Sequence, residues 1–147
     1  MNEEQYPKIY LYRRIVQAKL FIDNFYSEKI NLSNIADEAY FSKFHFIRLF
    51  KKSYNRTPHQ YLIYVRIENA KRLLQAGNKV ADICFAVGFE SISSFTGLFK
   101  KLSGLTPAAY QVQQLATKDA IAKTPLNYIP GCFAEQNGWK KELPLIH

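Results

Sequence analysis

Apolar residues recur at helical spacing along most of the chain. Leu11, Ile15, Ala18, Ile22 and Phe25 fall three or four positions apart and predict an opening helix over about 9–25. Leu62, Val65, Leu73 and Leu74 predict a second long helix over about 58–76, stopped by Gly77. Nothing before residue 125 alternates in the way a half-buried strand requires. Beyond residue 117 the pattern changes. Leu126, Tyr128, Ile129, Phe133 and Trp139 stand among Pro130, Gly131 and Gly138 without a helical period, which predicts an irregular tail. That tail reads either as a strap laid over the domain or as a docking segment. The strap is preferred, because clustered aromatics are seldom left exposed on a monomer.

The polar and apolar pattern also repeats. Phe50-Lys51-Lys52 returns as Phe99-Lys100-Lys101, a shift of 99 − 50 = 49. The same shift carries Phe46 to Phe95, Leu49 to Leu98, Thr57-Pro58 to Thr106-Pro107 and Tyr61 to Tyr110. Further upstream the shift is 48, pairing Ile35 with Ile83 and Phe41 with Phe89, so one residue is inserted before the second long helix.

Each copy reads as a short helix, a tight turn and a longer helix. In the first, Asn31 is a candidate cap, with Ile30 and Ile35 placed for a hydrophobic staple, and Ile35 and Ala39 mark the short helix. Ser42 can cap the longer helix, with Phe46, Leu49 and Phe50 on its inner face. That helix should end near Asn55, which tolerates left-handed backbone; Gly104 stands at the matching place in the second copy. Thr57 and Thr106 then cap new helices, with Pro58 and Pro107 at the first helical position. The second short helix should span about 80–87 and stop at Gly88, where the first copy has the bulkier Tyr40.

A short helix, a turn and a longer basic helix is the helix-turn-helix arrangement, in which the longer helix fits the major groove and the shorter one braces it. Charge supports that reading. The chain carries 20 Lys and Arg against 12 Asp and Glu, a formal net charge of +8. Residues 118–147 hold four bases and three acids, so +7 lies in residues 1–117. Residues 43–56 carry Lys43, Arg48, Lys51, Lys52 and Arg56 and no acid. A compact basic domain attracts polyanions, nucleic acid above all.

Other chemistries find little footing. Cys84 and Cys132 form no motif, which points to a reducing cytosol, and Cys84 reads as core packing. His45 and His59 have no metal-ligand spacing with the cysteines. The sequence offers no phosphate loop, carboxylate pair or nucleophile motif, so neither an enzyme nor a cofactor is expected. The N-terminus is polar and acidic, unlike a signal peptide, and no apolar run approaches the roughly 20 residues of a membrane span.

The residues that carry these patterns resemble the DNA-binding domain of the AraC/XylS family of bacterial transcription regulators. They are Ile35-Ala36 through Phe50-Lys51-Lys52, the run from Ile83-Cys84-Phe85-Ala86-Val87-Gly88-Phe89 to Glu90-Ser91, then Phe95 and Phe99-Lys100-Lys101. Gly104-Leu105-Thr106-Pro107-Ala108-Ala109-Tyr110 completes the likeness, which covers roughly residues 9–112. The resemblance implies an all-α fold: two homeodomain-like three-helix units, each with one helix-turn-helix, joined by a long linker helix. Its implied divisions are 1–56, 57–77, 78–117 and a 118–147 extension. It also implies two recognition helices entering successive major grooves, roughly 34 Å apart.

By position, the resemblance sends Phe44, Ile47 and Arg48 towards base edges in the first unit and Ile92, Ser93 and Ser94 in the second. Arg48 is the strongest reader, because a guanidinium can bond a guanine edge bidentately. Phosphate contacts fall to Ser42, Lys43, His45, Lys51, Lys52, Thr96, Lys100 and Lys101. Gly97 aligns with Arg48, at a place where the family often has a long basic residue. The second unit is therefore expected to add affinity and shape rather than direct readout.

The length leaves no room for a separate effector domain, so the reading is a short, monomeric, cytoplasmic and nucleoid-associated regulator. Its partners would be double-stranded DNA and RNA polymerase. The rival is a protein-interaction module that docks through its tail and binds DNA weakly. A third is a non-specific nucleoid or RNA binder, which high salt would expose.

Overall fold

The computed structural model describes residues 5–31 and 43–123. Among these the chain forms six helices and no strand: α1 (Gln5–Phe25), α2 (Lys43–Tyr54), α3 (Pro58–Gln75), α4 (Val80–Ala86), α5 (Ile92–Ser103) and α6 (Pro107–Lys123). The expected short helix at Ile35–Ala39, its staple, the Ser42 cap and residues 124–147 lie outside the described residues. Residues 118–123, assigned by the sequence to an irregular tail, instead continue α6 to Lys123, because the aromatic, proline and glycine residues that break the helical period begin only beyond them. By packing, the chain divides into two units, Met1–Pro107 and Ala108–His147. The first holds α1 to α5.

Helix ends follow the chemistry of their residues. Thr57 opens α3 with a reciprocal capping box: Gln60 N donates to Thr57 Oγ1 at 3.2 Å, and Thr57 N donates to Gln60 Oε1 at 2.9 Å. Pro58 follows at the first helical position, where no backbone N–H is needed. Ser91 caps α5 by accepting from Ser94 N at 3.2 Å. Left-handed backbone closes both long helices of the repeat, at Asn55 (φ 62°) and Gly104 (φ 84°). Equivalent positions thus solve one geometric problem with the two residues that tolerate it best.

Two small cores form, and the repeat builds both. In the first, Ile15, Ala18 and Ile22 of α1 meet Phe46 and Phe50 of α2 and Leu62 and Val65 of α3. The Phe46 and Phe50 rings lie 6.2 Å apart, and their counterparts Phe95 and Phe99 lie 5.8 Å apart. In the second, Ile83, Cys84, Val87, Phe89, Phe95 and Phe99 are buried, and α3 packs against both α4 and α5. Cys84 belongs to this core, and burial pushes its thiol up, away from the reactive thiolate.

Two further expectations need correction. Phe25 is not buried: it is 43% exposed and its ring packs 5.0 Å from that of Phe21. The apolar set of α1 is wider than one stripe, since Ile9, Val16 and Leu20 are exposed too, and spacing alone could not say which side would be covered. On α3, Leu73 is only half-buried, whereas Ile67 and Ala70 join Leu62, Val65 and Leu74 in full burial. At about 100° per residue, Pro58, Leu62 and Val65 point one way and Ile67, Ala70 and Leu74 nearly the opposite way. The linker helix is thus buried on two sides.

A polar cluster fastens α1 to α3. The Tyr61 hydroxyl donates to Asp23 Oδ1 at 2.6 Å, and Lys19 Nζ lies 2.7 Å from Asp23 Oδ2. Burial and the Asp23 carboxylate push the Tyr61 phenol from its usual 10.0 up to about 12. The folded chain therefore holds this proton more tightly than the unfolded chain does. The resulting stabilisation is complete below pH 10 and is lost as pH rises through about 12. Denaturant titrations should show stability falling across that window, with a shallower fall in Tyr61→Phe. An equal slope in both proteins would contradict the assignment.

Candidate nucleic-acid interface

The α2 helix presents two unlike faces. Phe46 and Phe50 point inwards. On the far side Phe44, Arg48 and Lys51 follow one another at i, i+4 and i+7, the spacing that aligns side chains along one face. Phe44 is 78% exposed, far beyond what an aromatic ring gains from water contact. Ile47 borders this line but is half-buried, packing part of its side chain against the first core. Lys43, His45 and Lys52 are exposed on the same helix.

The second helix repeats the plan with smaller side chains. Phe95 and Phe99 are buried, and the shift of 49 converts the line Phe44–Arg48–Lys51 into Ser93–Gly97–Lys100, all exposed. Ser94 and Lys101 flank it on one side. Ile92, 46% exposed, and the half-buried Thr96 lie on the other. The structure therefore gathers the expected second-unit residues onto one helix, with Ile92 set apart from the Ser93–Gly97 line.

Electrostatics separate the two surfaces. Residues 43–56 hold five cations and no acid. The ion pairs among the described residues lie within single helices, at Lys19–Asp23, Glu68–Lys71 and Asp119–Lys123, and draw on none of the interface cations. A cation without an internal partner keeps its full attraction for an external polyanion. Arg56 is held differently, with its guanidinium carbon 3.9 Å from the centroid of the Tyr64 ring. No group of His, Cys, Asp and Glu among the described residues is arranged to hold a metal ion, and no described helix is long and apolar enough to cross a membrane.

Sequence reasoning missed Arg66, which sits between the buried Val65 and Ile67 on α3. Its Nε donates to Tyr26 O at 2.7 Å and an Nη donates to Glu28 O at 3.0 Å. Burial lowers its proton affinity, while the Glu90 carboxylate acts in the opposite sense. A cation between two buried helix positions was the available signal, since such a charge needs local acceptors.

Comparison with known proteins places this geometry. A family model described as a helix-turn-helix domain matches residues 35–113. The chain belongs to the AraC/XylS family, through its DNA-binding domain. It is 37% identical over 92 residues to the bifunctional transcriptional activator/DNA repair enzyme AdaA of Bacillus subtilis, a match covering 62% of this chain and 44% of that protein. An uncharacterised helix-turn-helix transcriptional regulator from the cgkA 5′ region of Pseudoalteromonas carrageenovora is 31% identical over 111 residues, covering 75% of this chain and 66% of the relative. The chain thus spans less than half the length of AdaA. Among solved structures, the DNA-binding domain of the global transcriptional factor AdpA, in complex with a target DNA, is similar with a TM-score of 0.62 and 27% identity. That similarity covers 76% of this chain and 96% of the other.

Gly97 offers a direct test of this surface. Its backbone is ordinary helix, and a Cβ built there meets nothing within 4 Å. The fold therefore does not need glycine at this position. Gly97→Ala should raise stability by about 1 kcal/mol, read from denaturant midpoints. A loss of stability would mean that the helix is not free at this point.

Proposed function

We propose that the chain is a sequence-specific transcription regulator that reads a two-part double-stranded DNA site with α2 and α5 in successive major grooves. The observation that carries this is the exposed Phe44–Arg48–Lys51 line, set opposite the buried Phe46–Phe50 pair in an acid-free segment. An aromatic ring is costly to leave in water, and a base-pair edge bearing a thymine methyl would cover it. Arg48 beside it can bond O6 and N7 of a guanine. Ile47 adds apolar contact with the exposed part of its side chain.

Ile92, Ser93 and Ser94 face bases in the second groove, with short reach and weak discrimination. Ser42, Lys43, His45, Lys51, Lys52, Thr96, Lys100 and Lys101 bond or neutralise phosphates and set the register. In this reading residues 1–56 and 78–117 are the two reading units, 57–77 joins them and 118–147 is an extension. The protein acts as a monomer on DNA in the cytoplasm, within the nucleoid, and positions RNA polymerase at promoters.

Selection of bound duplexes from a random pool at physiological salt tests the reading. A motif in two parts about one helical turn apart is the expected result. A pool without a motif, with binding that vanishes as salt rises, would overturn it. Arg48→Ala should then weaken binding by about 1–3 kcal/mol and relax the preference at one position. Lys51→Ala should weaken all sequences alike and lower the salt slope by about 1. Unchanged preference in the Arg48 variant would remove that residue from readout.

A further inference from the structure

Beyond Phe25 the chain leaves α1 through a turn at residues 26–28. Arg66 bonds two carbonyl oxygens of that turn, Tyr26 O and Glu28 O, from the middle of α3. The second helix-turn-helix closes on the same spot. Gly88, in its turn, has φ 102°, and a Cβ there would fall 2.9 Å from Arg66 Nε, 2.9 Å from Tyr26 O and 3.0 Å from Ser27 O. Two of those three atoms are backbone and cannot swing aside. Phe89, the next residue, stacks its ring 5.7 Å below the Arg66 guanidinium and 5.2 Å from Phe95 of α5.

A short mechanical path therefore joins α2 and α5, crossing α3 only at Arg66. From α2 it passes through the shared core to α1, then through the carbonyls of residues 26–28 to Arg66, Gly88 and Phe89, and so to α5. Apolar packing on α3 resists separation but is not directional. Hydrogen bonds from a planar guanidinium to fixed carbonyls are directional. A glycine pressed against backbone oxygens leaves little room for sliding.

We infer that the Arg66–Gly88 junction sets the half-site spacing that this chain accepts. The inference rests on the two-part reading proposed above. Moving one half-site by a single base pair shifts it by roughly 3.4 Å and turns it by roughly 34° about the duplex. A rigid junction cannot follow that movement, and a loosened one can. Arg66 and Gly88 are thus positioning residues that touch no DNA themselves.

The test uses the full chain and duplexes carrying the selected site, with its halves moved by one or two base pairs in either direction. A duplex with the first half-site alone completes the set. The unaltered protein should lose at least tenfold in affinity for each shifted duplex. Gly88→Ala and Arg66→Met should bind the single half-site as before. They should bind the natural spacing less well and show a spacing penalty below about threefold. Gly104→Ala is the control: its φ of 84° is equally strained, yet a Cβ there meets nothing within 4 Å. It should lose stability and keep the full spacing penalty.

Circular dichroism confirms folding of each variant, and Arg66→Lys, which cannot reach both carbonyls in the same fork, replaces any variant that fails to fold. A spacing profile unchanged in the junction variants would overturn the inference. So would an equally flattened profile in Gly104→Ala, since stability alone would then explain it. A flat profile in the unaltered protein would instead mark the failure of the two-part reading.

Discussion

The first unit of packing depends on one helix being buried from two sides. α3 contributes Leu62 and Val65 to the core it shares with α1 and α2. Its opposite side, through Ile67, Ala70 and Leu74, meets the helices of the second repeat. Neither three-helix cluster has many large apolar residues of its own. A set of that size is marginal alone, and a shared wall lets each cluster close against a surface already ordered by the other. The capping box at Thr57 and Gln60 fixes where this wall begins, and Gly77, at φ 88°, marks where it stops.

Upon that frame the repeat produces two surfaces of unlike chemistry. The inward rings are conserved between the copies, Phe46 and Phe50 against Phe95 and Phe99, because both copies must fill the same kind of space. The outward line is not: Phe44, Arg48 and Lys51 face Ser93, Gly97 and Lys100 across the shift. Packing constrains the first set and leaves the second free. The two outward surfaces differ in chemistry because of that freedom, with five cations in residues 43–56 against Lys100 and Lys101 on α5.

Much of this was legible in the chain. The repeat, the helix ends at Asn55 and Gly104, the Thr-Pro starts and the buried phenylalanines all depend on residues near in sequence, where spacing and backbone preference speak directly. What escaped was decided at a distance. Two interleaved stripes on α3 blur into one weak pattern, so Ile67 and Ala70 were passed over and Leu73 was overrated. Phe25 sits on a helix with apolar residues around much of its circumference, and only the neighbours present decide which are covered. Arg66 meets acceptors 38 and 40 residues away, a pairing that no local period records. Gly88 was read correctly as a stop, but its closeness to the carbonyls of residues 26 and 27 belongs to the tertiary structure.

The open space at Gly97 has a consequence for how such a protein changes over generations. A new side chain there would project outwards from the exposed face of α5 and disturb no neighbour. Long basic or polar residues at this point would lengthen the reach of the second surface, and by leaving glycine they would strengthen the helix rather than weaken it. Most gains of specificity are opposed by a loss of stability. Here the two need not conflict, because a single substitution at Gly97 can change the outward chemistry of α5 while the buried Phe95 and Phe99 keep their packing.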